Sequence, residues 1–272
     1  MKRSIIRRIL ALGVIAYVMV CVYFALIQRQ MIYHPPEYSA AAVDAAARSS
    51  ELERWKDASG RPIGMKRLSP IQPAVGQVMI TYGNGDCATG CARYAGQIQP
   101  AAALDVYILE YPGYADRPGT PNQKNFFQAA DEAFQSLPTN KPTYLMGKSL
   151  GTGVAAHLAG TFSNKVAGVV LFAPYNSLTA VAQYHEPILP VWLLLLDRYP
   201  SQNFLQSYHG PVGILVAGKD RTVPEKFGRR LYDSYPGPKH LWEFPSDDHG
   251  SVMDRPPDFW KEIIAFWKAN PY

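Results

Sequence analysis

The sequence predicts an α/β protein with a mainly parallel central sheet, helices on both faces of that sheet, a short helical insertion and one N-terminal transmembrane helix. Three observations carry this prediction: strand-like and helix-like segments alternate over residues 51–272, a long segment near 175–210 interrupts that alternation, and residues 9–27 are apolar and uncharged. Alternating strands and helices favour a parallel sheet covered on both sides. Since the chain shows no repeat at a fixed period, a solenoid or propeller is not expected.

The strand-like segments are short apolar runs separated by segments rich in turn residues. In chain order they are residues 55–68, which contain a turn at 57–60 between two strands, and then 77–82, 104–111, 143–146, 166–172, 212–217 and 240–244. A helix is predicted at 125–137, where apolar residues recur at three- and four-residue intervals. Further helices are predicted after Gly151, Pro224 and Pro257.

The segment between the strands 166–172 and 212–217 is predicted to be an insertion, at about residues 175–210. Its stretch Ile188–Leu196 contains four consecutive leucines and is more apolar than a solvent-facing helix. Two interpretations are open. The stretch packs on the sheet edge as part of the core, or it forms an apolar wall or acyl-binding lid over a site.

Residues 1–8 are predicted to be a basic cytoplasmic N-terminus, residues 9–27 a transmembrane anchor, residues 28–50 a linker or weak helix, and residues 51–272 the folded domain. As a helix, residues 9–27 would be about 28 Å long, which spans a bilayer. Four basic residues precede this run and one follows it closely, so the positive-inside rule predicts a single-pass protein with an extracytoplasmic domain. The run leads into polar residues rather than small ones, so cleavage as a signal peptide is not expected.

Composition excludes several classes of protein. The chain is 47% hydrophobic and 18% charged, which is typical of a globular protein rather than a disordered or fibrous one. Its formal net charge is +5, and the five basic residues among positions 1–29, which contain no acid, supply all of it. A basic face on the domain is therefore not expected, and neither is a nucleic-acid partner.

The chain has three cysteines, and their spacing matches no zinc site, so neither a metal ion nor another cofactor is predicted. Cys87 and Cys91 leave two possibilities open. They are reduced buried thiols, or they form a disulfide if the domain faces an oxidising compartment and the backbone brings the two Cα atoms within reach.

The segment most informative about chemistry is Gly147-Lys148-Ser149-Leu150-Gly151, which follows a short apolar strand and precedes a helix. This G-x-S-x-G pattern is typical of a sharp strand-to-helix turn, where small neighbours are needed and the serine hydroxyl is exposed. The N-terminus of the following helix favours negative charge near the serine. Ser149 is therefore the predicted nucleophile.

A nucleophilic serine needs a general base, and that base needs an acid that orients it. His249 lies in a polar loop directly after the last strand, and Asp220 follows the apolar strand 212–217. In open α/β sheets, ligands bind at the carboxyl ends of the strands. Ser149, Asp220 and His249 are therefore predicted to form a catalytic triad, in the chain order Ser, Asp, His.

Negative charge on the reacting oxygen also requires hydrogen-bond donors, which form an oxyanion hole. The backbone N–H of Leu150, directly after the serine, is one predicted donor. Asn84, in the loop that follows strand 77–82, is predicted to supply the second. The sequence identifies no further substrate-binding residue.

These segments resemble the α/β-hydrolase superfamily, and in particular its membrane-anchored branch of abhydrolase-domain-containing serine hydrolases. The resemblance covers nearly all of residues 30–272, and the matching segments are Tyr82-Gly83-Asn84, Tyr111-Pro112-Gly113-Tyr114, Gly119-Thr120-Pro121, Gly147–Gly151, Gly218-Lys219-Asp220 and Asp248-His249. Two positions depart from the family pattern, because Tyr82 stands where the family has His and Ala115 stands where Gly is usual. The resemblance implies the α/β-hydrolase fold and hydrolysis of esters or thioesters, often of lipids or acylated proteins.

The predicted function is that of a serine hydrolase that cleaves carboxylic esters or thioesters. The apolar insertion and the membrane anchor favour an apolar acyl or lipid substrate. An amidase or peptidase would use the same triad, and a non-catalytic scaffold with this fold is a third alternative. Two nucleotide-binding patterns are weaker: Pro142 breaks the P-loop pattern, and a G-x-G-x-x-A match at 83–88, with Glu110 as ribose ligand, leaves the triad unexplained.

Overall fold

The computed structural model describes residues 2–272, and within that range eight strands form a single sheet. The strands are β1 (Glu53–Lys56), β2 (Pro62–Arg67), β3 (Gly76–Thr81), β4 (Leu104–Leu109), β5 (Thr143–Lys148), β6 (Val166–Phe172), β7 (Val212–Ala217) and β8 (Lys239–Phe244). Their order across the sheet is β1-β2-β4-β3-β5-β6-β7-β8. Strand β2 pairs antiparallel with β1 and β4, and the remaining neighbours are parallel, which confirms the predicted mainly parallel sheet.

Ten α-helices accompany the sheet in residues 2–272. They are α1 (Lys2–Ile32), α2 (Ala40–Ser49), α3 (Ala92–Ile98), α4 (Gln123–Gln135), α5 (Leu150–Thr161), α6 (Leu178–His185), α7 (Val191–Leu194), α8 (Ser201–Leu205), α9 (Glu225–Ser234) and α10 (Pro257–Ala269). Helix α3 is absent from the sequence prediction, because its seven residues are too few to show an apolar period.

Helices cover both faces of the sheet, as predicted. On one face, a Cβ built on Gly147 of β5 would lie 3.0 Å from the Cβ of Ala155 in α5. On the other face, Tyr144 of β5 stacks on Trp267 of α10, with ring centroids 4.5 Å apart. Successive strand residues point to opposite faces, so the odd separation between positions 144 and 147 places α5 and α10 on opposite sides of the sheet.

Helix α1 continues past the predicted anchor and ends at Ile32. It is the one helix within residues 2–272 that is long and apolar enough to cross a membrane. Most of its apolar side chains are exposed. Its last turns instead pack on the domain, because Cys21 is buried against the insertion and Tyr33, directly after the helix, lies in the main core. The limits of the anchor and the linker stay predictions.

The segment after α1 is fixed to the domain by Ala115. This residue has a positive φ of 51°, the left-handed conformation that glycine adopts more easily than alanine. Its N–H donates to the Pro36 carbonyl at 2.7 Å, and its carbonyl accepts the N–H of Tyr38 at 3.2 Å. Ala115 thus keeps the backbone conformation that the family's usual Gly would adopt, and it holds the chain between α1 and α2.

Helices α6, α7 and α8 form the insertion between β6 and β7. Leu189, Val191 and Leu195 are buried against Cys21 of α1 and form an apolar cluster apart from the main core. The Leu-rich stretch therefore packs on α1 rather than on the sheet edge. Of the two interpretations left open by the sequence, the structure matches the apolar wall.

Candidate active site

Ser149 occupies the turn between β5 and α5 with φ 49° and ψ −121°, a conformation that residues with a side chain rarely adopt. Two glycines make this turn possible. A Cβ on Gly147 would lie 2.7 Å from the Cα of Thr152, and a Cβ on Gly151 would lie 2.2 Å from the carbonyl oxygen of Thr81. Both contacts are shorter than real Cβ atoms allow, so the glycines let the helix pass close to the strands and hold the serine hydroxyl at the sheet edge.

A chain of hydrogen bonds joins the three predicted triad residues. His249 Nε2 lies 2.9 Å from Ser149 Oγ, and His249 Nδ1 lies 2.6 Å from Asp220 Oδ2. Asp220 Oδ1 accepts the backbone N–H groups of Thr222 and Val223 at 2.8 and 2.7 Å. Since these bonds occupy Oδ1, the other oxygen is aimed at the Nδ1–H of His249, which leaves Nε2 to accept the serine O–H.

Asp220 and His249 reach Ser149 from separate loops at one edge of the sheet. Asp220 follows β7 and His249 follows β8. The loop that carries His249 is held by Asp248, whose Oδ1 accepts the N–H groups of Gly250 and Ser251, each at 2.9 Å. The hydrogen bonds from Ser251 and Gly250 lower the pKa of Asp248, so this support is ionised at neutral pH.

Both predicted oxyanion residues lie beside Ser149 and line the same cavity. Leu150 is the first residue of α5. A Cβ built on Gly83 would lie 4.0 Å from Ser149 Oγ, so the loop after β3 faces the hydroxyl. Leu150 and the loop that carries Asn84 therefore lie next to the Ser149 hydroxyl.

The end of α1 holds Asn84 in place. The side-chain amide of Asn84 donates to the carbonyl of Ile32 at 2.9 Å. Its backbone carbonyl accepts the N–H of His34 at 3.1 Å and the hydroxyl of Tyr114 at 2.7 Å. One of these three bonds comes from the last residue of α1, one from His34 just after it and one from Tyr114, so α1 contributes to holding the predicted oxyanion loop together with other segments.

Tyr82, which replaces the family's His, supports the loop through Glu110. The Tyr82 hydroxyl donates to Glu110 Oε1, and it accepts the backbone N–H of Tyr111 at 3.1 Å. Glu110 Oε2 accepts the N–H of Ala88 at 3.1 Å. Both carboxylate oxygens are thus engaged beneath the loop, which is not the arrangement of a ribose ligand. The position of Glu110 at the end of an apolar strand was the available sequence signal, but its partner was not predictable from it.

Burial raises the pKa of Glu110 to about 7, even though hydrogen bonds from Tyr82 and Ala88 oppose the shift. Because the folded state binds this proton more tightly than the unfolded chain, the stability it contributes is complete below pH 4.5 and is lost as the pH rises through 7. In the wild type, this loss amounts to about 3 kcal/mol in the free energy of unfolding. We expect the Glu110→Gln variant, which has no carboxyl group at this position, not to show it.

The measurement is unfolding of the detergent-solubilised protein at several pH values between 4.5 and 8, for wild type and Glu110→Gln. Glu262→Gln, at an exposed position on α10, is the matched control and should keep the wild-type pH dependence. Parallel pH profiles for wild type and Glu110→Gln would contradict the prediction.

A cavity of about 480 Å³ opens beside Ser149. Its wall is largely apolar and is built by α1 and the insertion, from residues that include Phe24, Met31, Leu178, Leu189, Leu194 and Leu195. A largely apolar cavity of this size with a few polar groups in its wall is typical of a small-molecule site. The contribution of α1 to this wall was not predicted, because Phe24 and Met31 are remote from Ser149 in sequence.

Cys87 and Cys91 are free thiols in the structure. Both are buried, and burial raises the pKa of the Cys91 thiol well above its usual value. Of the two states that the sequence left open, the structure has the reduced one.

No family model matches the chain. Among curated proteins, the uncharacterized protein Rv2307c of Mycobacterium tuberculosis is 31% identical over 231 residues, which are 82% of this chain and 80% of the relative. The uncharacterized membrane protein YNL320W of Saccharomyces cerevisiae is 30% identical over 55% of this chain and 56% of its own length. The lysophosphatidylserine lipase ABHD12 of Danio rerio is 26% identical over 66% of this chain and 52% of its own length.

Several solved structures share the fold. The Pyrococcus furiosus esterase Pf2001 superposes with a TM-score of 0.63 at 14% identity, covering 88% of this chain and 98% of the esterase. A Paleococcus ferrophilus monoacylglycerol lipase superposes with a TM-score of 0.57 at 20% identity, covering 79% of this chain and 98% of the lipase. Mouse alpha/beta hydrolase domain-containing protein 10 superposes with a TM-score of 0.59 at 16% identity, covering 79% of this chain and 98% of the mouse protein.

Proposed function

The chain belongs to the α/β-hydrolase family, and from that premise we propose that it is a serine hydrolase that cleaves carboxylic esters or thioesters with an apolar acyl part. The observation that carries the proposal is the hydrogen-bonded chain from Asp220 through His249 to Ser149, next to an apolar cavity. A serine hydroxyl becomes an effective nucleophile when an oriented base lies within hydrogen-bond reach of it.

In the proposed mechanism, Ser149 Oγ attacks the acyl carbonyl carbon while His249 Nε2 takes the serine proton. Asp220 stabilises the imidazolium that results, and the N–H groups of Asn84 and Leu150 bind the oxyanion. His249 then gives the proton to the leaving oxygen or sulfur as its bond to the acyl carbon breaks. Water, deprotonated by His249, attacks the acyl-enzyme, and the carboxylic acid leaves as Ser149 regains its proton.

The cavity supports an acyl lipid as the substrate. Its wall contains Ser149 and is mostly apolar, so it suits an acyl chain better than a polar peptide. The zebrafish relative is named a lysophosphatidylserine lipase, and two structural neighbours are an esterase and a monoacylglycerol lipase. Hydrolysis of an acyl lipid ester is therefore the reaction we place first.

We propose further that α1 anchors the protein in a membrane, with the N-terminus in the cytoplasm and the hydrolase domain on the other side. Its residues 5–32 have the length and composition of a membrane span. The basic residues that precede the apolar run favour retention of that end in the cytoplasm.

A fluorescent fluorophosphonate, which reacts with activated serines, tests the catalytic proposal. We expect it to label the intact protein in membrane fractions, and we expect Ser149→Ala and His249→Gln to abolish labelling. His157→Gln is the matched control, because His157 Nε2 also lies 2.9 Å from a carboxylate, that of Asp131, but two turns along α5 from the serine. Labelling that survives Ser149→Ala, or folded wild-type protein that does not label, would contradict the proposal.

A further inference from the structure

The insertion exposes a patch of large apolar side chains. Ile188, Trp192, Leu193 and Leu196, which we call the outer ridge, are 80%, 66%, 62% and 65% exposed. The residues between them face α1 and the cavity. A segment that is apolar on every side is normally covered by protein or lipid, and a contiguous exposed apolar patch marks an interaction surface.

The insertion lies along the second half of α1. The Tyr17 hydroxyl donates to the carbonyl of Ile188 at 2.8 Å. Eleven positions later, Gln28 Nε2 donates to the carbonyl of Leu194 at 3.2 Å, and Gln28 Oε1 accepts the N–H of Leu196 at 2.7 Å. At the rise of an α-helix, the insertion therefore accompanies α1 for about 16 Å.

The length of α1 decides where a bilayer can lie. Of the candidate span 5–32, only residues 5–16 precede the first hydrogen bond to the insertion, at Tyr17. Those residues cover about 18 Å, whereas a hydrocarbon core is about 30 Å thick. A bilayer crossed by α1 must therefore extend past Tyr17, to the part of the helix that lies beside the insertion.

Polar side chains mark the level at which the hydrocarbon would end. Arg29 Nε donates to Asp197 Oδ2 at 3.1 Å, and the Tyr33 hydroxyl donates to the same oxygen at 3.0 Å. These groups follow immediately after the apolar residues on both α1 and the insertion. Arg29, whose side chain is half-exposed, is the first charged residue after the apolar run of α1, and charged side chains are disfavoured in hydrocarbon, so a bilayer surface at Arg29 would submerge the outer ridge.

We propose that the outer ridge is embedded in the acyl-chain region of the leaflet nearest the domain, so that the insertion is a second membrane-contacting element beside α1. Helix α7 carries both Trp192 on the ridge and Leu194 on the cavity wall. One helix thus separates the cavity from lipid at this position. Resting on the proposed function, this arrangement gives an acyl lipid a route from the leaflet into the cavity, between α1 and the insertion.

Trp192 provides a direct test with the full chain. The protein is reconstituted into vesicles of palmitoyl-oleoyl phosphatidylcholine and into the same vesicles with the oleoyl chain brominated across its double bond. The difference in emission between wild type and Trp192→Phe isolates the Trp192 signal from the other tryptophans. We expect brominated chains to quench most of that signal and water-soluble acrylamide to quench little of it.

The control adds Ile71→Trp to the Trp192→Phe background. Ile71 is 63% exposed, close to the exposure of Trp192, and it lies before β3, at the opposite edge of the sheet from Ser149. The new tryptophan should be quenched by acrylamide and not by brominated lipid. A Trp192 signal that behaves like this control would place the outer ridge in water and overturn the proposal, whether or not the protein is a hydrolase.

The double variant Leu193→Ser/Leu196→Ser tests the route into the cavity, since both side chains point away from the cavity wall. We expect hydrolysis of a long-chain ester in the vesicles to fall several-fold while hydrolysis of a water-soluble short-chain ester stays unchanged. Equal loss of both activities, or loss of neither, would contradict the route. Failure of the wild type to cleave either ester would contradict the proposed function, while the fluorescence result still decides the position of the ridge.

Discussion

Asp220→Asn is expected to lower kcat for ester hydrolysis by about 10⁴-fold while leaving the protein folded. The reason lies in how the carboxylate is held. Its Oδ1 accepts the N–H groups of Thr222 and Val223, so an asparagine would keep its carbonyl oxygen there and turn its NH₂ toward His249 Nδ1. The imidazole would then carry its proton on Nε2, which would donate to Ser149 Oγ instead of accepting the serine proton.

The effect is measured as kcat on a water-soluble ester, together with the thermal unfolding temperature of each protein. Asp131→Asn is the matched control, because Asp131 also bonds a histidine, His157, and its replacement should leave kcat unchanged. A kcat for Asp220→Asn within about tenfold of wild type would show that another group orients His249.

Gly151→Ala is expected to lower the free energy of unfolding by about 3 kcal/mol, although the same change inside an ordinary helix is favourable by about 1 kcal/mol. The new Cβ would lie 2.2 Å from the carbonyl oxygen of Thr81 and 2.5 Å from that of Tyr82. Helix α5 would have to move away from the end of β3. That movement would separate Ser149 from the loop that carries Asn84, so kcat should fall as well.

Urea unfolding in detergent, followed by tryptophan fluorescence, measures the change in stability. Gly85→Ala is the control, since a Cβ at that position would meet nothing within 4 Å. Its free energy of unfolding should stay within about 0.5 kcal/mol of wild type. If the two variants are equally stable, the close approach of α5 to β3 is not needed for folding.

Features that depend on short stretches of sequence were predictable. Strands β6 and β7 occupy their predicted residues, because each is a continuous apolar run that turn residues delimit. Ser149, Asp220 and His249 could be named together because parallel strands bring their carboxyl ends to one edge of a sheet. The structure brings these three side chains into hydrogen-bond contact, and their catalytic roles remain our proposal.

Features that depend on contacts between distant segments were not predictable. Nothing local to Glu110 indicates that its partner is Tyr82, which directly follows another strand, β3. The apolar character of Ile188–Leu196 shows that these residues need covering, but not what covers them. Part of the answer is α1, whose own composition indicated a membrane span and gave no sign that its last turns would line the cavity beside Ser149.

The bonds from the end of α1 to Asn84 have a practical consequence for the protein as a whole. A shed or truncated form without this helix would lose Phe24 and Met31 from one side of the cavity, and the Asn84 amide would lose the carbonyl of Ile32. Soluble expression by deletion of the hydrophobic segment would thus yield a domain with an opened cavity and a predicted oxyanion loop that has lost one of its hydrogen bonds. If α1 anchors the protein in a membrane as we propose, proteolysis at α1 would therefore disturb the proposed active site in the same step that releases the domain.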